Sequence, residues 1–384
     1  MLPYLTDPQI TRFHTRVKSV VEEKDRVMVS LQKSYFYPEG GGQPSDQGTL
    51  NGKPVLRVFT EGEEIWHELE AFSGLTINMP VEGIIDPEKR RDHSVQHTAQ
   101  HLFTAVLKDG FGVETVAFHL GEQYTTIDTD REVEEEVLTA AEKRVNDLIG
   151  EDLPVSVYIR DKWNLGSLPL RKATDLATNI RIVQIGEVDY CACGGTHVSS
   201  LKDLRLFRVM QSEKHKGGSR LYFLAGNRAF RYLRDMEDTV RLLQKEVQVN
   251  VDELPFRVVR LREERDEYRK MVQELTARLG VALAQGYTED TVVQEVDFED
   301  ELMKAVGLEM NRRKKVAVFY RPDGRIFLFT GEAKDARKIF ESLKARFALR
   351  GGGSRSLVQG ILEKPEEMGS LISQVYSALL DLEI

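Results

Sequence analysis

Hydrophobic positions change period along the 384-residue chain. Up to about residue 88 they form short runs of β-type composition, at 27–31, 55–59, 65–69 and 81–85, punctuated by turn signals such as Asn51-Gly52 and Gly40-Gly41-Gly42. Strands this short pack most simply as a small β-barrel or a strongly bent sheet. Val95, Ala99, Leu102 and Val106 then fall at i, i+4, i+7 and i+11, the stripe of an amphipathic helix ending near Asp109-Gly110. A second helix is predicted over 130–149, opened by a capping box from Thr129 to Glu132 and stopped by Gly150. Strands at 155–159, 180–185, 204–210 and 221–224 complete an α+β unit.

From about Asn227 the texture becomes charged and repetitive. Phe230, Leu233, Val240, Leu243 and Val247 recur at helical spacing, and after a break at 250–255 the seam resumes through Val258, Leu261, Tyr268, Val272, Leu275 and Leu279, interrupted by Arg265. An antiparallel helical hairpin is the expected result. Beyond it come a strand at 316–320, an Asp323-Gly324 turn, a strand at 326–329 and a helix over 333–348 ended by Gly351-Gly352-Gly353. The expected fold is thus a multidomain α+β chain: a β-barrel with a glycine-rich loop (1–88), an α+β domain (89–226), a helical hairpin linker (227–288) and a C-terminal α/β domain (289–384).

Composition sharpens this picture. A hydrophobic fraction of 41% excludes wholesale disorder, and no window approaches the roughly 18 uninterrupted apolar residues of a membrane span. The chain is read as soluble, unexported and cytoplasmic. A net charge of −9 argues against nucleic-acid binding until it is resolved along the chain. Residues 311–355 hold 13 Lys/Arg against 4 Asp/Glu, a local +9 that leaves −18 for the remainder. Cys191 and Cys193 are the two cysteines, and one intervening residue makes a disulfide between them geometrically poor. A reducing compartment fits, and so does metal ligation.

His93, His97 and His101 repeat every fourth residue on the predicted helix, opposite its apolar stripe. One such pair could equally be a solvated face. A second half exists in Cys193-Gly-Gly-Thr-His197, where side-chain-free residues let a tight turn fold thiolate and imidazole onto one point. His97, His101, Cys193 and His197 together form a nitrogen and sulfur set that zinc prefers. Four protein ligands usually mark a closed structural zinc, whereas catalytic zinc keeps one position open. The segment 34–46 combines Gly40, Gly41 and Gly42 with Ser34 and Gln43; it reads equally as a barrel corner or as a loop approaching a ligand. Gly351, Gly352, Gly353 and Arg355 lie inside the +9 region, and three glycines exceed what a helix cap needs. They suit a backbone surface pressed against phosphate or ribose.

The set Phe36-Tyr-Pro-Glu-Gly-Gly-Gly-Gln43, His97-Thr-Ala-Gln-His101-Leu and Cys193-Gly-Gly-Thr-His197 resembles the editing domain of alanyl-tRNA synthetases and its freestanding AlaX-type relatives. The tail resembles the DHH-associated domain that ends the longer members. This resemblance implies a zinc-dependent deacylase acting on tRNA(Ala) mischarged with serine, and with glycine as a further substrate. It implies His97, His101, Cys193 and His197 as zinc ligands, Ser34 and Gln43 as catalytic-site residues, Gly41 and Gly42 beside the aminoacyl group, and a tRNA-binding tail containing Gly351, Gly352, Gly353 and Arg355. Relatives commonly carry threonine where this chain has Ser34, which keeps the hydroxyl and lacks the methyl wall. Editing-type sequence starts within about 25 residues of Met1, so adenylation and charging domains are not expected. A homodimer through the hairpin or tail is expected. The competing readings are a tRNA-binding protein with a structural zinc and a nucleic-acid phosphohydrolase. The second would need an Asp-His-His cluster, which Asp92-His93-Ser94 does not supply.

Overall fold

The computed structural model describes residues 3–23, 25–70, 74–165, 168–172, 178–332 and 334–380. The chain divides into two compact units, Met1–Leu242 and Leu243–Ile384. The first opens with a single helical turn, α1 (Pro3–Thr6), followed by β1 (Arg12–Glu22), β2 (Arg26–Leu31), β3 (Gly48–Leu50), β4 (Lys53–Glu61), β5 (Glu64–Glu70) and β6 (Pro80–Ile85). These strands close into a barrel in the order β1-β2-β5-β4-β3-β6. Val17, Val29, Phe36, Val58, Leu69 and Ile85 fill it. The expected barrel is present, with two strands that the hydrophobic runs did not reveal. β1 escapes because a register shift between Val17 and Ser19 breaks its alternation.

The long helix α2 (Pro87–Phe111) starts at Asp86, whose carboxylate accepts from the amides of Glu88 and Lys89, and ends at Gly112 in the left-handed region. The predicted apolar stripe is buried, but so is the histidine face, because sheets and a helix enclose α2 on several sides. The solvated-face reading is therefore corrected. After α2 come β7 (Thr115–Leu120), β8 (Thr125–Thr129), α3 (Glu135–Gly150), β9 (Val155–Arg160), β10 (Ile180–Ile185), β11 (Asp189–Ala192), β12 (Phe207–His215) and β13 (Gly218–Ala225). They form a three-stranded sheet, β11-β10-β9, and a four-stranded sheet, β12-β13-β8-β7. The predicted capping box is not one. Thr129 ends β8 and its hydroxyl bonds to the Ser219 carbonyl at 3.0 Å, so α3 begins later, at Glu135.

The charged repeat forms α4 (Gly226–Val247) and α5 (Leu254–Gln285), separated by a capping box between Asn250 and Glu253. The second unit then contains β14 (Thr291–Glu295), α6 (Asp300–Arg312), β15 (Val316–Tyr320), β16 (Arg325–Phe329), α7 (Ala336–Lys344), β17 (Leu349–Gly353), β18 (Leu357–Leu362) and α8 (Met368–Leu380). Its sheet runs β14-β15-β16-β18-β17. Val316 and Val318 pack on the side of α7 and α8, while Ala317 and Phe319 pack with α6 residues, so both faces are covered. The helix predicted over 333–348 spans Ala336–Lys344; position 333 lies outside the described residues. Gly351, Gly352 and Gly353 do not end it. They lie in β17, paired with Gly360, Gln359 and Val358. A Cβ at Gly351 would stand 2.2 Å from the Gln359 carbonyl oxygen, and one at Gly353 would stand 2.2 Å from that of Leu357. Arg355 follows on the exposed loop to β18. Among the described residues no helix is long and apolar enough to cross a membrane.

Candidate metal centre

His97 and His101 project from one face of α2, and Cys193 and His197 come from the glycine turn after β11. Their ligand atoms all lie within 4.8 Å of one another. Cys193 Sγ stands 3.5 Å from His97 Nε2 and 3.4 Å from His197 Nε2. A tetrahedral zinc with Zn–S about 2.3 Å and Zn–N about 2.0–2.1 Å separates such atoms by roughly 3.5 Å. The donor set and its spacing therefore suit a metal ion.

The outer partners strengthen the fit. His97 Nδ1 lies 2.8 Å from Gln43 Oε1, His101 Nδ1 lies 3.0 Å from Asp189 Oδ2, and His197 Nδ1 lies 3.0 Å from Thr98 Oγ1. Thr98 gives its own proton to the Ser94 carbonyl, so it accepts from His197. Each imidazole thus donates through Nδ1 to an oxygen and turns Nε2 toward the others, as outer-shell partners of metal-bound histidine do. Gln43 is held in turn: its Oε1 accepts from the Thr196 amide at 3.1 Å, and its Nε2 donates to Thr196 Oγ1 at 3.0 Å. Arg171 also holds Asp189, with Nε 2.9 Å from Oδ1 and Nη2 donating to Oδ2 at 3.1 Å.

Two cysteines on one short segment have opposite electrostatics. Burial pushes the Cys191 thiol up to about 11. Burial acts the same way on Cys193, but His97, His101 and His197 face it and hold it well below the ordinary thiol range. Cys193 is the thiolate of the pair. His197 lies well below its usual range through burial and then through His97.

The structure brings the loop of residues 40–43 to this cluster. Gly41 lines the adjoining cavity, of about 420 Å³, together with His97, His101 and Cys193. Gly42, at φ 83°, lets the loop meet β7, where a Cβ would stand 2.6 Å from the Phe118 carbonyl oxygen. Phe118 stacks on His97 with ring centroids 5.1 Å apart. Ser34 is elsewhere. Its hydroxyl bonds to His67 Nε2 at 2.8 Å in the barrel, and it borders a separate cavity with Lys18, Lys33, Glu63 and Glu64. His93 is buried on α2 outside the cluster. Asp189, Thr98 and Arg171 were missed from sequence. A carboxylate four residues before Cys193 was the available signal for Asp189, since metal-bound histidines commonly pair with one.

A barrel whose glycine loop braces a three-histidine, one-cysteine cluster defines a domain that could hold a metal ion. In keeping with this, the family model described as the threonyl and alanyl tRNA synthetase second additional domain matches residues 180–222, the segment that supplies Asp189, Cys193 and His197. The chain belongs to the alanyl-tRNA editing protein family. It is 31% identical over 392 residues to alanyl-tRNA editing protein AlaX-L of Pyrococcus horikoshii, covering 95% of both chains. It is 30% identical over 349 residues to alanyl-tRNA editing protein Aarsd1 of Mus musculus, covering 86% of this chain and 84% of that one. The solved RecJ structure in complex with Mn2+ from Thermus thermophilus is 13% identical, spans 37% of this chain and 27% of its own, and has a TM-score of 0.26, too low to carry an argument.

Proposed function

We propose that this protein is a trans-editing deacylase that hydrolyses the ester of tRNA(Ala) mischarged with serine, and also with glycine, using zinc held by His97, His101, Cys193 and His197. The observation that carries the reading is the convergence of three oriented imidazoles and a thiolate, of which His97, His101 and Cys193 line a cavity rather than being sealed in a knot. That open wall favours chemistry over a purely structural metal. The need for such an activity is physical. A pocket made for alanine rejects an analogue with one added hydroxyl by only about 10²-fold, so accuracy requires a second, hydrolytic site.

Zinc, when bound, supplies Lewis acidity toward the ester carbonyl. The chain's own residues prepare for this. Gln43, Asp189 and Thr98 fix the three rings through Nδ1, so little reorganisation accompanies substrate entry. Gly41 presents bare backbone at the cavity, which allows the aminoacyl ester close approach. Exposed Lys172 at the cavity rim suits a phosphate of the tRNA end. Water adds across the ester, releasing the free amino acid and a ribose hydroxyl.

The second unit is read as a DHH-associated domain in which the +9 segment 311–355, with β17 and Arg355, supplies most of the tRNA affinity. A cytoplasmic setting suits the two free thiols. Homodimerisation belongs to the same reading, and light scattering at micromolar concentration checks it. The decisive test is incubation of the purified chain with Ser-tRNA(Ala), Gly-tRNA(Ala) and Ala-tRNA(Ala), with and without chelator, alongside elemental analysis. Release of serine, chelator-sensitive and with about one zinc per chain, is expected. Metal-free protein of full activity, or zinc-loaded protein that leaves every ester intact, would overturn the proposal.

A further inference from the structure

The face of α2 that borders the metal-site cavity carries His97, Gln100, His101 and Thr104, at spacings of three, four and seven from the first. Only the histidines belong to the cluster. Gln100 and Thr104 are nevertheless buried, 7% and 5% exposed. Gln100 Nε2 donates to Thr104 Oγ1 at 2.9 Å, and Thr104 Oγ1 lies 3.0 Å from Thr115 Oγ1 on β7. All three residues line the cavity. Apolar side chains would join a helix to a strand at lower desolvation cost, so a polar ladder here calls for a reason.

Counting protons gives the ladder a direction. Gln100 fills one lone pair of Thr104. Among the described residues the Thr104 hydroxyl has no acceptor except Thr115 Oγ1, so Thr104 donates and Thr115 keeps its own proton free. At the other end, Gln100 Oε1 has no partner among the described residues. The wall therefore offers the cavity one donor and one acceptor. A carboxylate or an ammonium satisfies half of that pair, whereas an aliphatic hydroxyl, donor and acceptor at once, satisfies either member.

We propose that Gln100, Thr104 and Thr115 form a hydroxyl-reading wall that positions the scissile ester through a neighbouring hydroxyl group. It rests on the deacylase reading above. The hydroxyl has two sources in that substrate: the β-hydroxyl of a seryl group, or the free hydroxyl of the terminal ribose.

The test uses the full chain loaded with zinc and stable amide analogues, in which 3′-amino-3′-deoxyadenosine carries a seryl or a glycyl group. Binding is followed by calorimetry, with hydrolysis of Ser-tRNA(Ala) and Gly-tRNA(Ala) in parallel. Thr115→Val should weaken the seryl analogue by about 5- to 10-fold, the loss of one neutral hydrogen bond, and Thr115→Ser should restore it. Zinc content and melting temperature should not move, which separates a positioning role from a structural one. A loss confined to the seryl analogue assigns the wall to the amino acid. Equal losses with both analogues, abolished when the ribose lacks its 2′-hydroxyl, assign it to the ribose. If wild type binds every analogue and Thr115→Val binds them equally well, the wall is overturned while the deacylase stands. If wild type binds none of the analogues, the wall is overturned, and if it also hydrolyses neither aminoacyl-tRNA, both readings fall.

Discussion

Replacing Gly195 by alanine should disable the metal centre, while the same change one residue earlier should do nothing. A Cβ on Gly195 would stand 2.1 Å from His97 Cε1, 2.3 Å from its Nδ1 and 2.9 Å from Gln43 Oε1. Ordinary contact begins at 3.4 Å, so the ring must retreat by about 1.3 Å. Metal sites tolerate ligand-distance errors of about 0.2 Å. His97 also cannot retreat freely, since Phe118 stacks on it and Gln43 holds its Nδ1. Zinc affinity should therefore fall by at least the roughly 10- to 100-fold that loss of an outer partner causes. The metal-free protein should lose about 1–3 kcal/mol to overpacking. Gly194 is exposed, and a Cβ there would meet nothing within 4 Å. Gly194→Ala is thus the matched control. Competition for zinc against a chromophoric chelator, with denaturant unfolding of both metal-free variants, measures the two quantities. If Gly195→Ala holds zinc within about threefold of Gly194→Ala, the close packing inferred for the turn is wrong.

Asp189→Asn keeps an acceptor for His101 but removes the charge shared with Arg171, so zinc affinity should drop about 10- to 100-fold in the same competition assay. His67 is fully buried and burial lowers its pKa from 6.5 to about 4, so between these values the unfolded chain binds more protons than the folded one. Stability conferred by keeping His67 neutral is complete above pH 6.5 and is lost as pH falls toward 4, by about 3 kcal/mol in all. Urea unfolding from pH 7 to 4 should show a shallower decline for His67→Gln than for wild type; equal declines would reject the assignment. Arg355→Ala should weaken tRNA binding and reduce the magnitude of the log-log salt slope by about 0.7 to 0.9 if it contacts one phosphate. An unchanged slope in a binding titration from low to physiological salt would remove Arg355 from the interface.

Sequence alone determined the features that depend on residue type and near neighbours. Alternating apolar runs exposed four barrel strands, because a strand with one buried face must alternate. The His97, His101, Cys193 and His197 set was legible because helical spacing and a glycine turn bring ligands together locally. Where a local signal had two uses, the sequence could not choose. Thr129 looks like a helix cap until β13 claims its hydroxyl. Three glycines look like a helix stop until β18 is seen pressing its carbonyls against Gly351 and Gly353.

Tertiary structure alone decided how the ligands are held. Gln43 is 54 residues from His97, and Asp189 is 88 residues from His101, so no periodicity links either pair. Gln43 was legible as a polar residue in a glycine loop, but its role as the brace of His97 depends on the barrel lying against α2. Ser34, from the same segment, is instead turned to His67 within the barrel. The physical reason is one of range. A ligand is specified by its own chemistry and a few flanking residues, whereas a hydrogen bond near 3 Å between distant segments exists only after the intervening chain has packed.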